Sequence, residues 1–462
     1  MALIDSFPAE ILVEIFRLST VDSFPELWHA GLALSAELAR IANAPLLSLS
    51  SVCSRWRSIV QDNPLFWSNI EIDGVTEDAL DKTMKLLAVR LERSRDAPLS
   101  VHFSSEGPDD LGPHPRIFDF LVQHSHKWQT AKFLCSFEDV DTSLLRGRIP
   151  RLESLVLLST TPAALDSFVT PSLERLFIQA PQLHSDGFSA IRTQLREFAC
   201  IATHHDELTD VVGILPTLPD SILVHLAIEF EPEPQFVLPP VTAPNIGSLS
   251  CTATPYGHSW GLAPLFTSLT LPQLRKLVLK CDRYPRRIVA WPPQQHWAFL
   301  DMCQRSGFAD TLKILSISQV GIVPADLIPL LVVLPALEHL SVGDSPRNDG
   351  LEEEALITDG FLRALMEPTP ALIVPRLSYL ACRSRWRGEF THSFMVDFVL
   401  CRVKYLNPGA KFELCIRSMY DAKAGLEPES QTRLLELEDT TERFVYRWGW
   451  QDIHRGLSPQ TF

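Results

Sequence analysis

The 462-residue sequence predicts an α/β protein: a small helical module at the N-terminus, then an irregular solenoid built from parallel strands. Three observations carry this prediction. Residues 1–72 hold apolar stripes at helical spacing. From Leu152 onward the pattern apolar-x-x-apolar-x-apolar recurs nine times, and in six of the nine units a proline stands two residues before it. The expected divisions are a helical module over 1–72, a linking helix and first strands over 73–127, the repeat array over 128–425 and a C-terminal cap over 426–462.

Composition narrows the class further. With 35 Pro and only 20 Gly the chain has a disorder-like bias, but 46% apolar residues, 25 Phe and 10 Trp supply enough burial to order it. A net charge of −15 opposes binding to phosphate backbones, so nucleic acid is not an expected partner. The N-terminus lacks a basic stretch before its apolar residues. The strongest apolar run, Leu327 to Leu337, is cut by Pro329 and Pro335 and is shorter than the ~20 residues a spanning helix needs. A soluble intracellular protein, cytoplasmic or nuclear, is expected, with no membrane contact. The nine cysteines lie at least 14 residues apart, which predicts small buried thiols and neither a disulfide framework nor a metal knuckle.

In the helical module, Pro8 and Glu10 suit the first turn of a helix, since proline lacks only an orphan N–H there and a carboxylate meets the positive end of the dipole. Ile11, Leu12, Ile15 and Phe16 form its apolar face. A second stripe, Leu49, Val52, Cys53, Trp56, Ile59 and Val60, predicts one helix ending at Asp62-Asn63-Pro64. Between them Leu27, Leu34, Leu38 and Ile41 predict a third, weaker helix. So small a bundle cannot easily hide Phe7, Phe16, Trp56, Phe66 and Trp67, which leaves packing against the rest of the chain or a partner-binding face.

These residues carry a resemblance. The run Phe7-Pro8-Ala9-Glu10-Ile11-Leu12-Val13-Glu14-Ile15-Phe16, then Val52-Cys53-Ser54-Arg55-Trp56-Arg57, then Asn63-Pro64-Leu65-Phe66-Trp67, resembles the F-box, in the form found in fungal F-box proteins. Phe7 stands where the family usually has leucine, and Val21 to Pro45 lengthens the gap between the halves. The resemblance implies a helical module that docks on a Skp-type adaptor and through it on a cullin. It assigns the adaptor face to Phe7, Pro8, Ile11, Leu12, Ile15, Phe16, Leu49, Val52, Cys53, Trp56, Ile59, Leu65 and Trp67.

After a strand around Ile70 and Ile72, a helix is expected over Ala79 to Ser94, a strand over Pro98 to Phe103 and a polar loop over Asp109 to Pro115. The repeated units are Leu152/Leu155/Leu157, Leu173/Leu176/Ile178, Leu195/Phe198/Cys200, Leu223/Leu226/Ile228, Ile246/Leu249/Cys251, Leu274/Leu277/Leu279, Leu312/Leu315/Ile317, Leu337/Leu340/Val342 and Leu377/Leu380/Cys382. Trp128/Ala131/Phe133 is a degenerate earlier member. The mean spacing of about 28 residues lies in the range of leucine-rich repeats, which the array resembles in degenerate form. Each strand with a return helix, as at Ala164 to Val169, Asp206 to Leu215, Trp297 to Ser306 and Ile357 to Met366, stacks over one core. No unit has an Asn or Cys three residues beyond its last apolar position, where such a ladder would satisfy turn carbonyls. In the tail, Leu434, Leu435, Leu437 and Phe444 have near-helical spacing.

Catalysis has no visible carrier. The sequence contains no G-x-S-x-G elbow, P-loop or H-E-x-x-H helix. His204-His205-Asp206-Glu207 and His124-x-His126 place adjacent side chains too divergently to chelate and read as loop and packing residues. No cofactor or metal is expected. Binding surfaces are marked instead by arginine mixed with aromatics. Arg283, Tyr284, Arg286, Arg287 and Trp291 lie in a long insertion after Leu279, and Arg383, Arg385 and Trp386 lie just past a later strand. These are the candidate target-binding residues. The reading that follows is a substrate-recognition subunit of an SCF-type ubiquitin ligase, itself non-catalytic. The alternatives are a repeat-based scaffold uncoupled from ubiquitination, and an enzyme without a recognisable motif.

Overall fold

The computed structural model describes residues 7–20, 44–73, 75, 77–104, 115–134, 137, 140–158, 162–230, 236–253, 261–281, 291–318, 320–343, 355–367, 372–384, 391–406, 409–418, 426–441 and 443–448. The chain divides into two units, Met1–Ile201 and Ala202–Phe462, a boundary that falls inside the stretch expected to form one array.

The first unit opens with α1 (Ala9–Thr20), α2 (Ala44–Val52) and α3 (Ser54–Asp62), followed by a 3-10 turn, Pro64–Trp67. The expected helix over 49–62 is therefore two helices. The backbone is extended at Cys53 (φ −158°, ψ 171°), and the Cys53 thiol accepts the N–H of Trp56, capping α3. An apolar stripe at 3/4 spacing records which face is buried and is blind to such a break, because the capping group is itself a stripe residue. The weaker helix expected around Leu27 to Ile41 lies outside the described residues.

Six parallel strands follow: β1 (Asn69–Asp73), β2 (Leu99–Ser104), β3 (Trp128–Leu134), β4 (Ser154–Leu157), β5 (Arg175–Gln179) and β6 (Glu197–Ala202). Helix α4 (Glu77–Ser94) lies between β1 and β2 and buries Leu80, Leu87 and Leu91 as its periodicity requires. Helix α5 (Pro115–Val122) begins at the end of the segment expected to be loop, with Pro115 at its first position, and buries Ile117, Phe118, Leu121 and Val122. The ladder is continuous in register: Ile70 pairs with Val101, Val101 with Ala131, Ala131 with Leu155, Leu155 with Leu176 and Leu176 with Phe198. The unit around Trp128, read as degenerate, is thus a full member, and the ladder begins at residue 69. Between β4 and β5 the return segment is a 3-10 turn, Pro162–Ser167, because only 21 residues separate those two units.

In the second unit the strands are β7 (Ile222–Ile228), β8 (Val241–Thr242), β9 (Ile246–Ala253), β10 (Leu269–Thr270), β11 (Lys276–Cys281), β12 (Ile314–Ser318), β13 (His339–Gly343), β14 (Tyr379–Ser384), β15 (Phe412–Ser418) and β16 (Phe444–Trp448). All but the short pair β8 and β10 join one parallel sheet, in the order β7, β9, β11 to β16. Its main return helices are α7 (His205–Ile214), α9 (Pro293–Ser306), α11 (Pro324–Val332), α12 (Asp359–Met366), α13 (His392–Tyr405) and α14 (Pro428–Thr440). Shorter ones are α8 (Ala263–Ser268) and α10 (Phe308–Thr311), and the first unit contributes α6 (Asp186–Ile191). Phe444, expected on a helix, lies in a strand, and β15 and β16 carry the ladder past residue 425: Leu380 pairs with Leu414, and Leu414 with Tyr446.

One unit was misplaced in register. Val224 and Leu226, not Leu226 and Ile228, pair with Leu249 and Cys251, and a bulge lies between Ile222 and Leu223. The seven residues of β7 alternate strictly, with Ile222, Val224, Leu226 and Ile228 buried, so the sequence pattern fits two registers two residues apart. The turn decides between them. Ser221 has a φ of 62° and donates its N–H to the Asn245 carbonyl, anchoring Ile222 beside Ile246.

The recurrent prolines act through a turn. In five units the residue before the proline accepts the N–H of the first apolar residue: Ile149 from Leu152, Thr170 from Leu173, Leu271 from Leu274, Leu334 from Leu337 and Val374 from Leu377, at 3.0–3.4 Å. Proline's fixed φ suits the second position of such a turn, which aims the chain into the strand. Amide side chains from the following unit brace such turns: Gln194 Nε2 donates to the carbonyls of Thr170 and Leu173, on either side of Pro171. Buried Asn245 does the same for Leu215 and Leu218. The carbonyl-satisfying amides therefore lie before the strand, not beyond it. Val374 is the costliest turn, a β-branched residue at φ 45°. It is held by buried Arg402, whose guanidinium donates to the Ile373 and Val374 carbonyls and is pulled down to about 10 by burial.

Helix α6 touches the preceding turn at Gly187, where a Cβ would stand 2.9 Å from the backbone of Asp166 while the Gly187 N–H donates to the Asp166 carboxylate at 2.7 Å. Gly187→Ala is expected to lower the denaturation midpoint by ~2 kcal/mol of stability through overpacking; an unchanged midpoint in chemical denaturation would contradict this packing.

Candidate functional site

The helical module closes a small core of its own. Leu12, Phe16, Val60 and Phe66 are buried, and Val13, Leu46, Leu49, Trp56, Ile59 and Trp67 pack against them. Phe16 lies at the centre, its ring 4.6 Å from Trp56 and 6.3 Å from Phe66. Polar groups fix the joints. Arg55 donates to the Phe7 carbonyl at 2.6 Å, Arg57 to the Ser50 carbonyl at 3.0 Å, and the Asn63 side chain accepts the Leu65 N–H, starting the 3-10 turn. The indole of Trp67 donates to the Val60 carbonyl at 2.8 Å and carries the Arg93 guanidinium of α4 over its ring at 4.4 Å.

That closed core divides the thirteen residues assigned to the adaptor face. Leu12 and Phe16 are buried and Leu49, Cys53, Trp56, Ile59 and Trp67 half-buried, so their packing is already used inside the module. Pro8 is exposed at the start of α1. Phe7, Ile11, Ile15, Val52 and Leu65 are the large apolar side chains left in water, at 41%, 48%, 45%, 60% and 55% exposure. On α1 the division is geometric: Leu12 and Phe16, one turn apart, face the core, and Ile11 and Ile15, also one turn apart, lie on the neighbouring stripe. Around them are charges, Glu10, Glu14 and Arg17. Arg17 donates to Glu14 at 2.9 and 2.6 Å, which holds that carboxyl below its usual range.

Of the candidate target-binding residues, Arg283, Tyr284, Arg286, Arg287, Arg385 and Trp386 lie outside the described residues. Trp291 is buried, with Phe266 and Phe299 against its ring at 6.3 and 6.1 Å, so it packs in the core instead of presenting a surface. Arg383 lies on β14 and is half-buried. Among the described residues of this region the exposed aromatic is Trp297 on α9, 67% exposed, which sequence spacing alone places on the buried or the open side of a helix with equal ease.

The remaining ionisable clusters have structural partners. His205 is held between Phe230 and Phe236, and the Glu207 carboxylate accepts the Thr203 N–H and hydroxyl at 2.6 and 2.9 Å. Across β1, β2 and β3 the register aligns Glu71, His102 and Lys132. Burial, and then the Lys132 charge, push His102 down to about 3, so the ring is neutral at pH 7 and its 3.7 Å approach to Glu71 is not an ion pair. A group so far from neutrality is a poor general base. Because the unfolded chain takes up this proton near pH 6.5 and the folded one near 3, stability contributed by neutral His102 is complete above pH ~6.5. It falls by ~1.4 kcal/mol per pH unit on acidification towards 3. His102→Asn is expected to remove that slope in denaturation midpoints taken from pH 7 to 4; an unaltered slope would contradict the buried neutral ring.

Among the described residues no group of three or more His, Cys, Asp or Glu could hold a metal ion, and no helix is long and apolar enough to cross a membrane. Six of the described cysteines are buried; Cys251 and Cys303 are pushed up to about 12 by burial, so they remain thiols.

The module is thus a closed helical core that leaves five large apolar side chains exposed among charged ones and leads into the first parallel strands. Residues 4–73 match the F-box-like family model, so the chain carries an F-box-like domain at its N-terminus. No curated protein matches the chain. A crystal structure of a protein from Bacteroides fragilis is similar at 16% identity and a TM-score of 0.36, over 66% of this chain and 78% of that one.

Proposed function

We propose that the protein is the substrate-recognition subunit of an SCF-type ubiquitin ligase. Its F-box-like domain binds a Skp-type adaptor and through it a cullin, while the strand array, of a degenerate leucine-rich-repeat type, binds a target protein. The observation that carries this reading is the set Phe7, Ile11, Ile15, Val52 and Leu65, left exposed by a module whose core is already filled, inside the segment that matches the F-box-like family. Exposed apolar side chains in that number on about 70 residues are a cost that a partner would relieve. Leu12, Phe16, Leu49, Trp56, Ile59 and Trp67 support the face from beneath, and Pro8 starts the helix that presents it.

The mechanism is proximity. Joining two binding modules raises the effective concentration of target lysines near the transfer machinery, so no residue of this chain needs to perform chemistry and no cofactor is called for. The net charge of −15 favours a protein target over nucleic acid, and the setting is cytoplasmic or nuclear. The test is co-expression with a Skp-type adaptor. Stoichiometric co-purification is expected; a monodisperse chain that elutes without adaptor would favour a scaffold uncoupled from ubiquitination.

A further inference from the structure

We infer that the turns leading into β2, β3 and β4 form a basic edge that takes an acidic segment of the same adaptor protein that docks on the helical module. This rests on the reading of that module as adaptor-binding and extends the contact beyond the F-box-like segment.

Hydrogen bonds join these turns into one edge. The Ser100 N–H donates to the Ser68 carbonyl at 2.9 Å, which sets the end of the helical module beside the start of β2. Arg93 lies over Trp67, and two residues later Arg95, at φ 48°, turns the chain towards β2. Buried Lys127, in the turn before β3, donates its ammonium to the Arg95 carbonyl at 2.6 Å. From the same turn the Ser125 hydroxyl donates to the Arg148 carbonyl, in the turn before β4, at 3.2 Å. The edge therefore starts at the helical module and runs without a break to β4.

Arg95, Arg146, Arg148 and Arg151 are all exposed along it. In the turn before β4, buried Leu145, Ile149 and Leu152 pin the backbone and leave the arginines between them in water. Gly147, at φ 72°, makes the bend that separates Arg146 from Arg148. Among the described residues, none of the four arginine side chains has an ion-pair or hydrogen-bond partner. The carboxylates around them are engaged elsewhere: Asp141 accepts the N–H and hydroxyl of Ser143, Glu153 accepts from Gln129, and Glu174 pairs with Arg196 at 3.2 Å. Asp96 acts on Lys127, opposing the drop that burial imposes on that ammonium. From Thr142 to Leu152 the sequence holds three arginines and no acid, in a chain of net charge −15.

Strands β2 and β4 are two strand spacings apart, about 10 Å, close to the screening length at 0.1 M salt. The four charges thus act on a partner as one field. Like charges gathered without counter-ions repel, and folding gains nothing from them. Carboxylates of a docked protein convert that repulsion into attraction, an effect that falls mainly on association rate. The adaptor is the occupant because the edge continues the module on which it docks.

The experiment is surface plasmon resonance between an immobilised Skp-type adaptor and the full chain, at about 0.05 and 0.5 M NaCl. Association of the unmutated chain is expected to be about tenfold faster at the lower salt. Arg146→Gln with Arg148→Gln and Arg151→Gln, at unchanged melting temperature, is expected to remove most of that gain. Arg376→Gln with Lys404→Gln and Lys411→Gln neutralises three exposed cations of the second unit and is expected to change neither rate. Association independent of salt would overturn the inference, as would an arginine variant that keeps the unmutated rates. Salt-sensitive self-association in sedimentation velocity, lost in that variant while adaptor rates stay the same, would give the edge to a second copy and overturn it too. If the triple variant does not fold, Arg151→Gln alone, expected to slow low-salt association about twofold, and the salt series on the unmutated chain decide. Adaptor binding that ignores the arginines overturns this inference alone; an unmutated chain that binds no adaptor overturns the proposed function with it.

Discussion

Replacing Ile11 and Ile15 together by aspartate is expected to abolish adaptor binding, with at least a hundredfold loss of affinity and no change in the module's fold. The two side chains are one turn apart on α1 and about half exposed, so neither contributes to the core formed by Leu12, Phe16, Val60 and Phe66. Burying what remains of their apolar surface is worth ~1 kcal/mol each at 25 cal/mol per Å². Aspartate forfeits that and adds a charge that must lose its water against an apolar partner face, at a further cost of several kcal/mol. As each 1.4 kcal/mol is tenfold in affinity, a hundredfold loss is a lower bound. Pull-down by the adaptor reads the result, with helical circular dichroism and hydrogen exchange over residues 9–62 as the control. Retained pull-down would remove α1 from the binding face and with it the observation on which the proposed function stands.

Phe16→Ala is expected to give the opposite combination: loss of adaptor binding through loss of the fold. The ring is fully buried and touches Trp56 and Phe66, so truncation removes one of the two phenylalanines of a four-residue core. Phe→Ala in a packed core costs ~3–5 kcal/mol, against a total stability of ~5–15 kcal/mol for an ordinary domain and less for one this small. Hydrogen-exchange protection over 9–62 should collapse, while the buried strand β3, with Trp128 and Phe133, stays protected. Full protection in the variant would mean that the module does not depend on this core. The two substitutions lie one residue apart in sequence, Ile15 and Phe16, and their different expected outcomes are what distinguish the face from its support.

That distinction was only partly legible in the sequence. The resemblance to the F-box assigned thirteen residues of the helical module to an adaptor face, and most of them lie on apolar stripes at helical spacing. That spacing does not say which of two adjacent stripes points inward, since both Leu12/Phe16 and Ile11/Ile15 satisfy i, i+4. Cys53 shows the same limit: as a stripe residue it extended a helix on paper, whereas its thiol caps a new one. In the array, the leucine triplets located β4 to β6, β9 and β11 to β14 because a parallel strand buried on its inner face keeps its pattern short and apolar. In β7 strict alternation made the pattern degenerate, and Ser221 with Asn245 chose the register. Trp291 and Trp297, six residues apart in one Arg/aromatic stretch, turned out buried and exposed respectively, a difference set by what α9 packs on.

What the sequence by itself determined is the succession of elements and the chemistry available to each: a helical module too small for its aromatics, strands announced by apolar triplets, and prolines where turns must enter those strands. These follow from local rules, namely side-chain periodicity, proline's fixed φ and the shortage of acids or histidines at chelating spacing. Tertiary structure alone decided which apolar residues remain in water, that the strands of the first unit begin at residue 69 and those of the second unit run past residue 425, and that Lys280, Arg383 and Arg417 occupy one register row. Those are relations between residues 30 to 140 positions apart in the chain. Register between strands is set by hydrogen bonds and packing that no local pattern encodes.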